Sequence, residues 1–324
     1  MEYVNLGNTG LMVSRLCLGC MTLGTSEWRK WVLDERDARG VFKTALDAGI
    51  NYFDTADQYS QGVSEEVTGR ALRDMARRDE FVVSTKVATP MGEMATQQGL
   101  SRKHIMEAID ASLMRLGLDY VDLYVCHRWD ETTPIEETLA ALDDVVGAGK
   151  ALYIGASNFT AWQLAKALGI SERQGYSRFI TLQNIYNLID REDEREMAPL
   201  CRDQGVAMTP WSPLARGFLA GNRKPGGGGA TQRAEMDAKT QQMYFSDTDF
   251  AIADRAGAIA KARDVKPIQV ALAWLLAKPG VTSPVVGVTK KEQLGELIGA
   301  LEIELTAEEM AALEEPYLPK RPYR

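Results

Sequence analysis

The sequence predicts an α/β protein folded as a (β/α)8 TIM barrel with an N-terminal β-hairpin and long active-site loops. Three observations carry the prediction. Strand-like and helix-like segments alternate along the whole chain. Eight strand-like runs end near Leu18, Asp54, Lys86, Cys126, Ala156, Gln183, Pro210 and Val286. Three successive runs close on polar groups: Asp54 with Tyr59 just beyond it, then Lys86, then His127 after Cys126. In such a barrel the carboxyl ends of the strands form one rim, and catalytic residues collect there from several strands.

Taken in order, residues 2–13 read as a hairpin. Tyr3, Val4 and Leu6 lead into Gly7-Asn8-Thr9-Gly10, and Leu11, Met12 and Val13 follow. Gly and Asn supply the positive φ that tight turns need. Helices are expected over Glu35–Ala48, Ser64–Arg77, Arg102–Arg115, Ile135–Ala148, Ala161–Leu168, Glu194–Gln204, a long stretch across 249–277, and Lys291–Leu301. In the third, Ile105, Ile109, Leu113 and Leu116 form one apolar stripe at helical spacing. Glycine closes several helices, as in Ala48-Gly49 and Gln204-Gly205. A last helix is expected over Thr306–Leu313, capped by Thr306 with Glu309 three residues on. Three stretches interrupt the alternation and read as loops: 19–33 with Met21, Trp28 and Trp31; 87–100; and 214–248, which holds Pro225-Gly226-Gly227-Gly228-Gly229. A loop as long as 214–248 in a compact domain is usually a lid, a binding loop or disordered, and its glycine run reads as a flexible tip. One domain spanning 1–324 is expected.

Bulk properties narrow the function. The chain has 324 residues, 45% of them hydrophobic, a net charge of −8 and a pI near 5.1. That balance argues against a general nucleic-acid or acidic-membrane surface while allowing a local basic pocket. No run approaches the roughly 18 apolar residues of a membrane span, and Met1-Glu2-Tyr3 opens no charged-then-apolar leader. Four cysteines in a chain this long make no disulfide framework, so the cytoplasm is the expected compartment. Cys17-Leu18-Gly19-Cys20 has redox spacing, but no second pair completes a metal site, and no metal is expected.

The rim residues suggest a chemistry. A free tyrosine ionises near pH 10, too high for easy proton exchange at neutrality. A lysine ammonium beside Tyr59 favours the phenolate, and Asp54 supplies the counter-charge that a buried Lys86 needs. His127 can donate to a substrate oxygen and polarise a carbonyl. Together the four suit protonation of an oxygen while a hydride reaches the adjacent carbon. Taken singly each has a plainer role: Asp54 and Lys86 as a buried ion pair, Tyr59 as packing. Their joint placement on consecutive strand ends is what points to a site. The other histidine, His104, stands beside Arg102 and Lys103 and is expected to be solvated. No strand–GxGxxG–helix unit is present, so a dinucleotide site of the Rossmann type is not expected.

These residues belong to longer stretches: Gly49-Ile50-Asn51-Tyr52-Phe53-Asp54-Thr55-Ala56, Ser84-Thr85-Lys86, Tyr120-Val121-Asp122-Leu123, Ile154-Gly155-Ala156-Ser157-Asn158-Phe159, Gln183-Asn184-Ile185-Tyr186-Asn187 and Trp211-Ser212-Pro213-Leu214-Ala215. In this order the chain resembles the aldo-keto reductases, specifically the branch with bacterial broad-range reductases and potassium-channel β-subunits. The resemblance implies NADPH-dependent reduction of aldehydes or ketones to alcohols and a tetrad of Asp54, Tyr59, Lys86 and His127, with Asp54 also counted among the cofactor contacts. It implies that Ser157, Asn158 and Gln183 hold the nicotinamide carboxamide, and that Trp211 stacks on the ring. Backbone N–H groups of Ser212, Leu214, Ala215, Arg216 and Gly217 would meet the pyrophosphate, with Pro213, which has no N–H, in the same turn. Cys20 and Met21 would lie beside the cofactor. Gly287, Thr289, Gln293 and Glu296 resemble the adenosine-phosphate segment. The chain departs from the pattern at Thr289, where a cationic side chain is common, and at Leu297, where asparagine is usual. Arg216, Arg223, Lys224, Lys290 and Lys291 are the nearby charges. Tyr59, His127, Trp28 and Trp129 are expected to meet substrate, with Trp31, Phe159 and Tyr186 as further aromatic candidates, and Arg128 and Asp130, flanking Trp129, as candidates to recognise a polar or phosphorylated substrate. An NADPH-binding redox-sensing regulatory subunit with little turnover is the alternative, and a phosphate-binding lyase or isomerase barrel a third. A small-molecule carbonyl substrate is the expected partner, with neither nucleic acid nor membrane; the sequence gives no oligomeric state.

Overall fold

The computed structural model describes residues 1–221 and 236–320. Strands β1 (Tyr3–Asn5) and β2 (Met12–Ser14) pair antiparallel as the expected hairpin, Val4 opposite Val13. Eight parallel strands follow: β3 (Cys17–Gly19), β6 (Tyr52–Asp54), β7 (Val82–Val87), β8 (Val121–Cys126), β9 (Ala151–Ser157), β10 (Phe179–Gln183), β11 (Ala207–Met208) and β12 (Val285–Val286). They lie side by side in chain order, and β12 returns to pair with β3. The far edges meet where Val285 N–H donates to Pro210 O (2.9 Å) and Trp211 stands opposite Val285. The sheet thus curls back on itself as a (β/α)8 barrel.

Around it run α1 (Glu35–Asp47), α2 (Val63–Met75), α3 (Arg102–Leu116), α4 (Ile135–Gly147), α5 (Ala161–Gln174), α6 (Met197–Gln204), α7 (Ala238–Met243), α8 (Asp247–Ala262), α9 (Pro267–Leu276), α10 (Lys291–Ile298) and α11 (Ala307–Glu314). The period of two along a strand sorts side chains between lumen and helix layer. Leu123 and Val125 join the inner cluster with Tyr52, Val82 and Cys17, whereas Tyr124 and Cys126 pack outward. Leu6 and Val13 of the hairpin belong to that inner cluster, so the hairpin plugs the amino-terminal end of the barrel. By the same alternation Asp54, two residues after Tyr52, and Lys86, four after Val82, point into the lumen at the opposite end.

Several boundaries differ from expectation. The long stretch 249–277 is two helices, because Asp264 adopts φ 55° and Pro267 starts the second. Helix α5 runs past Leu168 to Gln174, where Gly175 at φ 71° ends it. Helix α6 begins only at Met197, after a 3-10 turn over Glu192–Glu194. The first loop is not irregular throughout: β4 (Leu23–Gly24) pairs with β5 (Leu33–Asp34). Thr306 and Glu309 form the expected reciprocal cap, Thr306 N–H on Glu309 Oε2 (2.8 Å) and Glu309 N–H on Thr306 Oγ (3.3 Å). The glycine run 225–229, Arg223 and Lys224 lie outside the described residues. Among the described residues no helix is long and apolar enough to cross a membrane. His104 is buried rather than solvated, and burial pushes its imidazole below the ordinary value.

Candidate active site

Lumen-facing strand ends bring the polar residues together. Lys86 Nζ donates to Asp54 Oδ2 (2.6 Å), to Thr55 O (2.8 Å) and to Tyr59 Oη (3.4 Å). Asp54 Oδ1 accepts from Ser84 Oγ (2.8 Å) and Gln183 Nε2 (2.9 Å), so both carboxylate oxygens are engaged. Asp54 and Lys86 are fully buried, which a charged pair tolerates only when hydrogen-bonded this completely. Burial works against the Lys86 ammonium, but Asp54 and then Tyr59 outweigh it and hold its pKa above the ordinary lysine value. The Tyr59 ring meets the His127 ring edge-on, centroids 5.8 Å apart at 82°. Four side chains from three strand ends and the turn after β6 therefore surround one point.

The expectation of an acidified phenol is corrected. Burial pushes the Tyr59 pKa up, Lys86 pulls it down, and burial wins in the free protein. Tyr59 thus stays protonated at neutral pH. Because an ammonium can only donate, the phenol oxygen accepts from Lys86 and keeps its own proton to give elsewhere. His127 is pushed well below the ordinary imidazole range by burial, then by Lys86 and Arg128, and is neutral.

The site opens into a cavity of about 790 Å³. Met21, Trp28, Asp54, Tyr59, His127, Ser157, Asn158, Gln183, Trp211, Ser212, Pro213, Leu214, Arg216 and Gly217 line it, together with Gly287, Thr289, Gln293 and Glu296 from the segment after β12. A short relay orders the wall: Trp211 Nε1 donates to Asn158 Oδ1 (3.0 Å), and Asn158 Nδ2 donates to His127 O (2.9 Å) and to Ser157 Oγ (3.0 Å). Ser157 Oγ donates to Gln183 O (2.6 Å). Gln183 has its amide nitrogen on Asp54, so a ligand there meets its carbonyl oxygen. After Trp211 the backbone turns through positive φ at Ser212, Ala215, Arg216 and Gly217. Gly217, at φ 86°, would place a Cβ in open space, so conformation rather than crowding requires glycine there. In the segment after β12, Gln293 Oε1 accepts from the backbone N–H groups of Thr289 (2.9 Å) and Lys290 (3.1 Å) and caps α10.

Other expected residues lie elsewhere. Cys20 and Ala215 are fully buried and do not line the cavity. The Cys20 thiol is pushed up to about 12, chiefly by burial, so the CxxC spacing supplies no thiolate. Trp129 packs on Phe159 (5.2 Å) and Trp162 (5.6 Å) away from the cavity. Phe159, Trp31 and Tyr186 are core residues. Asp130 spends its carboxylate on Leu100 N–H and on Thr132 and Thr133. Arg216 is not a spare charge, because it pairs with Asp237 (2.6 Å). Sequence reasoning missed Arg29, Gln58 and Thr89, and also Lys266, Pro267 and Ile268, which line the cavity from the start of α9. Arg29 stood next to Trp28 in a stretch already read as a binding loop; the approach of α9 leaves no local mark. Behind Tyr59, Ser60 adopts φ 52°, and its Oγ accepts from Thr25 N–H (3.3 Å) of the first loop.

A family model described as Aldo/keto reductase family matches residues 15–317. The chain belongs to this family. Aldo-keto reductases are oxidoreductases of small carbonyl compounds, which agrees with the barrel and the cavity at its rim. The chain is 42% identical to versiconal hemiacetal acetate reductase of Aspergillus parasiticus, covering 99% of this chain and 98% of that one. It is 39% identical to an aldo-keto reductase of Alternaria alternata, over 99% and 92%. A probable voltage-gated potassium channel subunit beta of Oryza sativa subsp. japonica is 39% identical over 94% and 92%. The channel-subunit side of the resembled branch is thus represented. Its bacterial side is not supported, since the two reductases named above are fungal.

Proposed function

We propose that this chain, acting as one unit over 1–324 in the cytoplasm, reduces aldehydes or ketones to alcohols with NADPH, Tyr59 giving the proton. One observation carries the reading: Tyr59 Oη lies 3.4 Å from the Lys86 ammonium that Asp54 fixes, with His127 beside it, and Asp54, Tyr59 and His127 all line one cavity. The cavity fits a dinucleotide. Ser157, Asn158, Gln183 and Trp211 would hold its nicotinamide end. The turn 212–217 would hold its pyrophosphate, and Gly287, Thr289, Gln293 and Glu296 its adenosine end. When bound, that group supplies the hydride. The protein's own residues do the rest. Lys86 occupies a lone pair of the phenol oxygen, so the hydroxyl proton is free for the carbonyl oxygen. Neutral His127, whose Nδ1 is buried without a partner, has Nε2 left to orient that oxygen.

Tyr59→Phe tests the reading. Turnover of a carbonyl panel, followed by loss of NADPH absorbance, should fall by at least about 10², while quenching of protein fluorescence by NADPH persists. Near-normal turnover would remove Tyr59 as proton donor. The rice relative is named as a channel subunit, which keeps a second reading in view, a regulatory subunit that binds NADPH with little turnover. The arrangement of His127 beside Tyr59 supports catalysis over it, and NADPH binding with no turnover on any carbonyl would reverse that preference.

A further inference from the structure

Two arginines stand in the cavity wall beside the proposed proton donor. Arg29 and Arg128 line it together with Tyr59 and His127. The Arg29 guanidinium lies over the Trp28 ring, 4.0 Å from its centroid, and 5.4 Å from that of Trp31. Two indoles fix the planar group without giving it an anion. It is half-buried, and burial followed by the charge of Arg216 weighs against its protonated form. Asp237 favours the Arg29 charge only through space, because its Oδ2 is held by Arg216 Nε (2.8 Å) and by the other arm of the same guanidinium (2.6 Å). Arg128 is exposed, and its charge is felt at His127. Asp130, the acid beside it in sequence, is consumed by Leu100, Thr132 and Thr133. Among the described residues neither Arg29 nor Arg128 forms an ion pair. A chain of net charge −8 therefore concentrates unmatched positive charge where substrate would enter.

We propose that the substrate is an aldehyde or ketone bearing an anionic group, carboxylate or phosphate, received by Arg29 with Arg128 adding to the field at the His127 side. The inference rests on the carbonyl-reductase reading above. A guanidinium takes either anion in two parallel hydrogen bonds, and stacking on Trp28 leaves its N–H edge available for that.

The test compares matched pairs in the full chain with NADPH: 4-carboxybenzaldehyde against its methyl ester, and glyceraldehyde 3-phosphate against glyceraldehyde. Charge-assisted hydrogen bonding predicts that kcat/KM favours the anion by about 10- to 100-fold in at least one pair. The pair that shows it names the anion. Most of the difference should sit in KM and shrink at high salt. Arg29→Gln should bring the ratio down about tenfold or more, and Arg29→Lys should restore part of it. Titration with NADPH confirms that each variant still binds its cofactor. If the neutral partners consume NADPH as well as the anions do, this inference falls and the reductase reading stands. If no member of either pair consumes NADPH, both fall together.

Discussion

Lys86→Met should cost both stability and turnover, and the structure says how each loss arises. The ammonium is fully buried and makes three hydrogen bonds, the shortest 2.6 Å to Asp54. Methionine matches its length and removes its charge, so Asp54 keeps only Ser84 and Gln183 as donors. Breaking one side of a buried pair costs about 3–5 kcal/mol because the surviving charge stays uncompensated. For a chain of this size each kcal/mol shifts the melting point by about 2 °C, so a fall of about 6–10 °C is expected. Adding Asp54→Asn to Lys86→Met removes that charge while an amide oxygen still accepts from Ser84 and Gln183. The double variant should therefore melt above the single one, with a coupling energy of about 2–3 kcal/mol. Turnover should stay lost in both, since the phenol has lost its partner. Calorimetric melts of the four proteins, with NADPH-linked assays alongside, give the full cycle. Additive melting shifts, or a single-variant fall below about 2 °C, would refute the claim that Lys86 and Asp54 act as one compensated unit.

Three further predictions follow from the electrostatics and from the cavity wall after β12. Because burial keeps Tyr59 protonated, kcat/KM for carbonyl reduction should be flat from neutrality to about pH 9, near the lower edge of the ordinary tyrosine range. Alcohol oxidation, which needs the phenolate, should rise across that span; a reduction profile falling with a midpoint below about pH 8 would contradict the assignment. The Asp57 carboxyl is pushed up to about 8 by burial and then by Glu65, and its Oδ2 has no partner. The unfolded chain releases that proton near pH 4, so the folded form binds the extra proton between about 4 and 8 and loses stability as pH rises through that window. Asp57→Asn should raise the melting point more at pH 8 than at pH 5, and an equal shift at both would show that the carboxyl is not held protonated. Titration by fluorescence quenching should show tighter binding of NADPH than of NADH, the gap narrowing with salt. Exposed Lys290 is the cation at hand, Lys266 of the cavity wall being paired with Glu296, and equal affinities would exclude a phosphate-reading role for it.

The barrel was legible because its evidence is local. Alternating strand and helix patterns, helix-ending glycines and the Thr306–Glu309 cap each occupy a few adjacent residues. The polar strand ends were legible too: period two sends Asp54 and Lys86 to the side of the sheet shared with Tyr52 and Val82. What the sequence could not show depends on three-dimensional balance. Whether Tyr59 is made more or less acidic is decided by burial against one ammonium 3.4 Å away, two opposing effects of which only the second has a sequence signature. Trp129 and Phe159 looked like pocket aromatics, but they pack edge-on against each other, because aromatic composition does not say which way a ring turns. Lys266 and Ile268 reach the cavity only once α9 is docked.

Ser60 gives the first loop and the tyrosine turn a shared anchor. Its hydroxyl takes the Thr25 amide, and a Cβ on Gly24 would stand 2.4 Å from that oxygen, so the two segments are bolted together with no slack. Trp28 and Arg29 follow Thr25 by a few residues, and Tyr59 immediately precedes Ser60. A change at Gly24 or Ser60 would therefore displace the loop that carries Trp28 and the turn that carries Tyr59 together, although neither residue touches the carbonyl site itself.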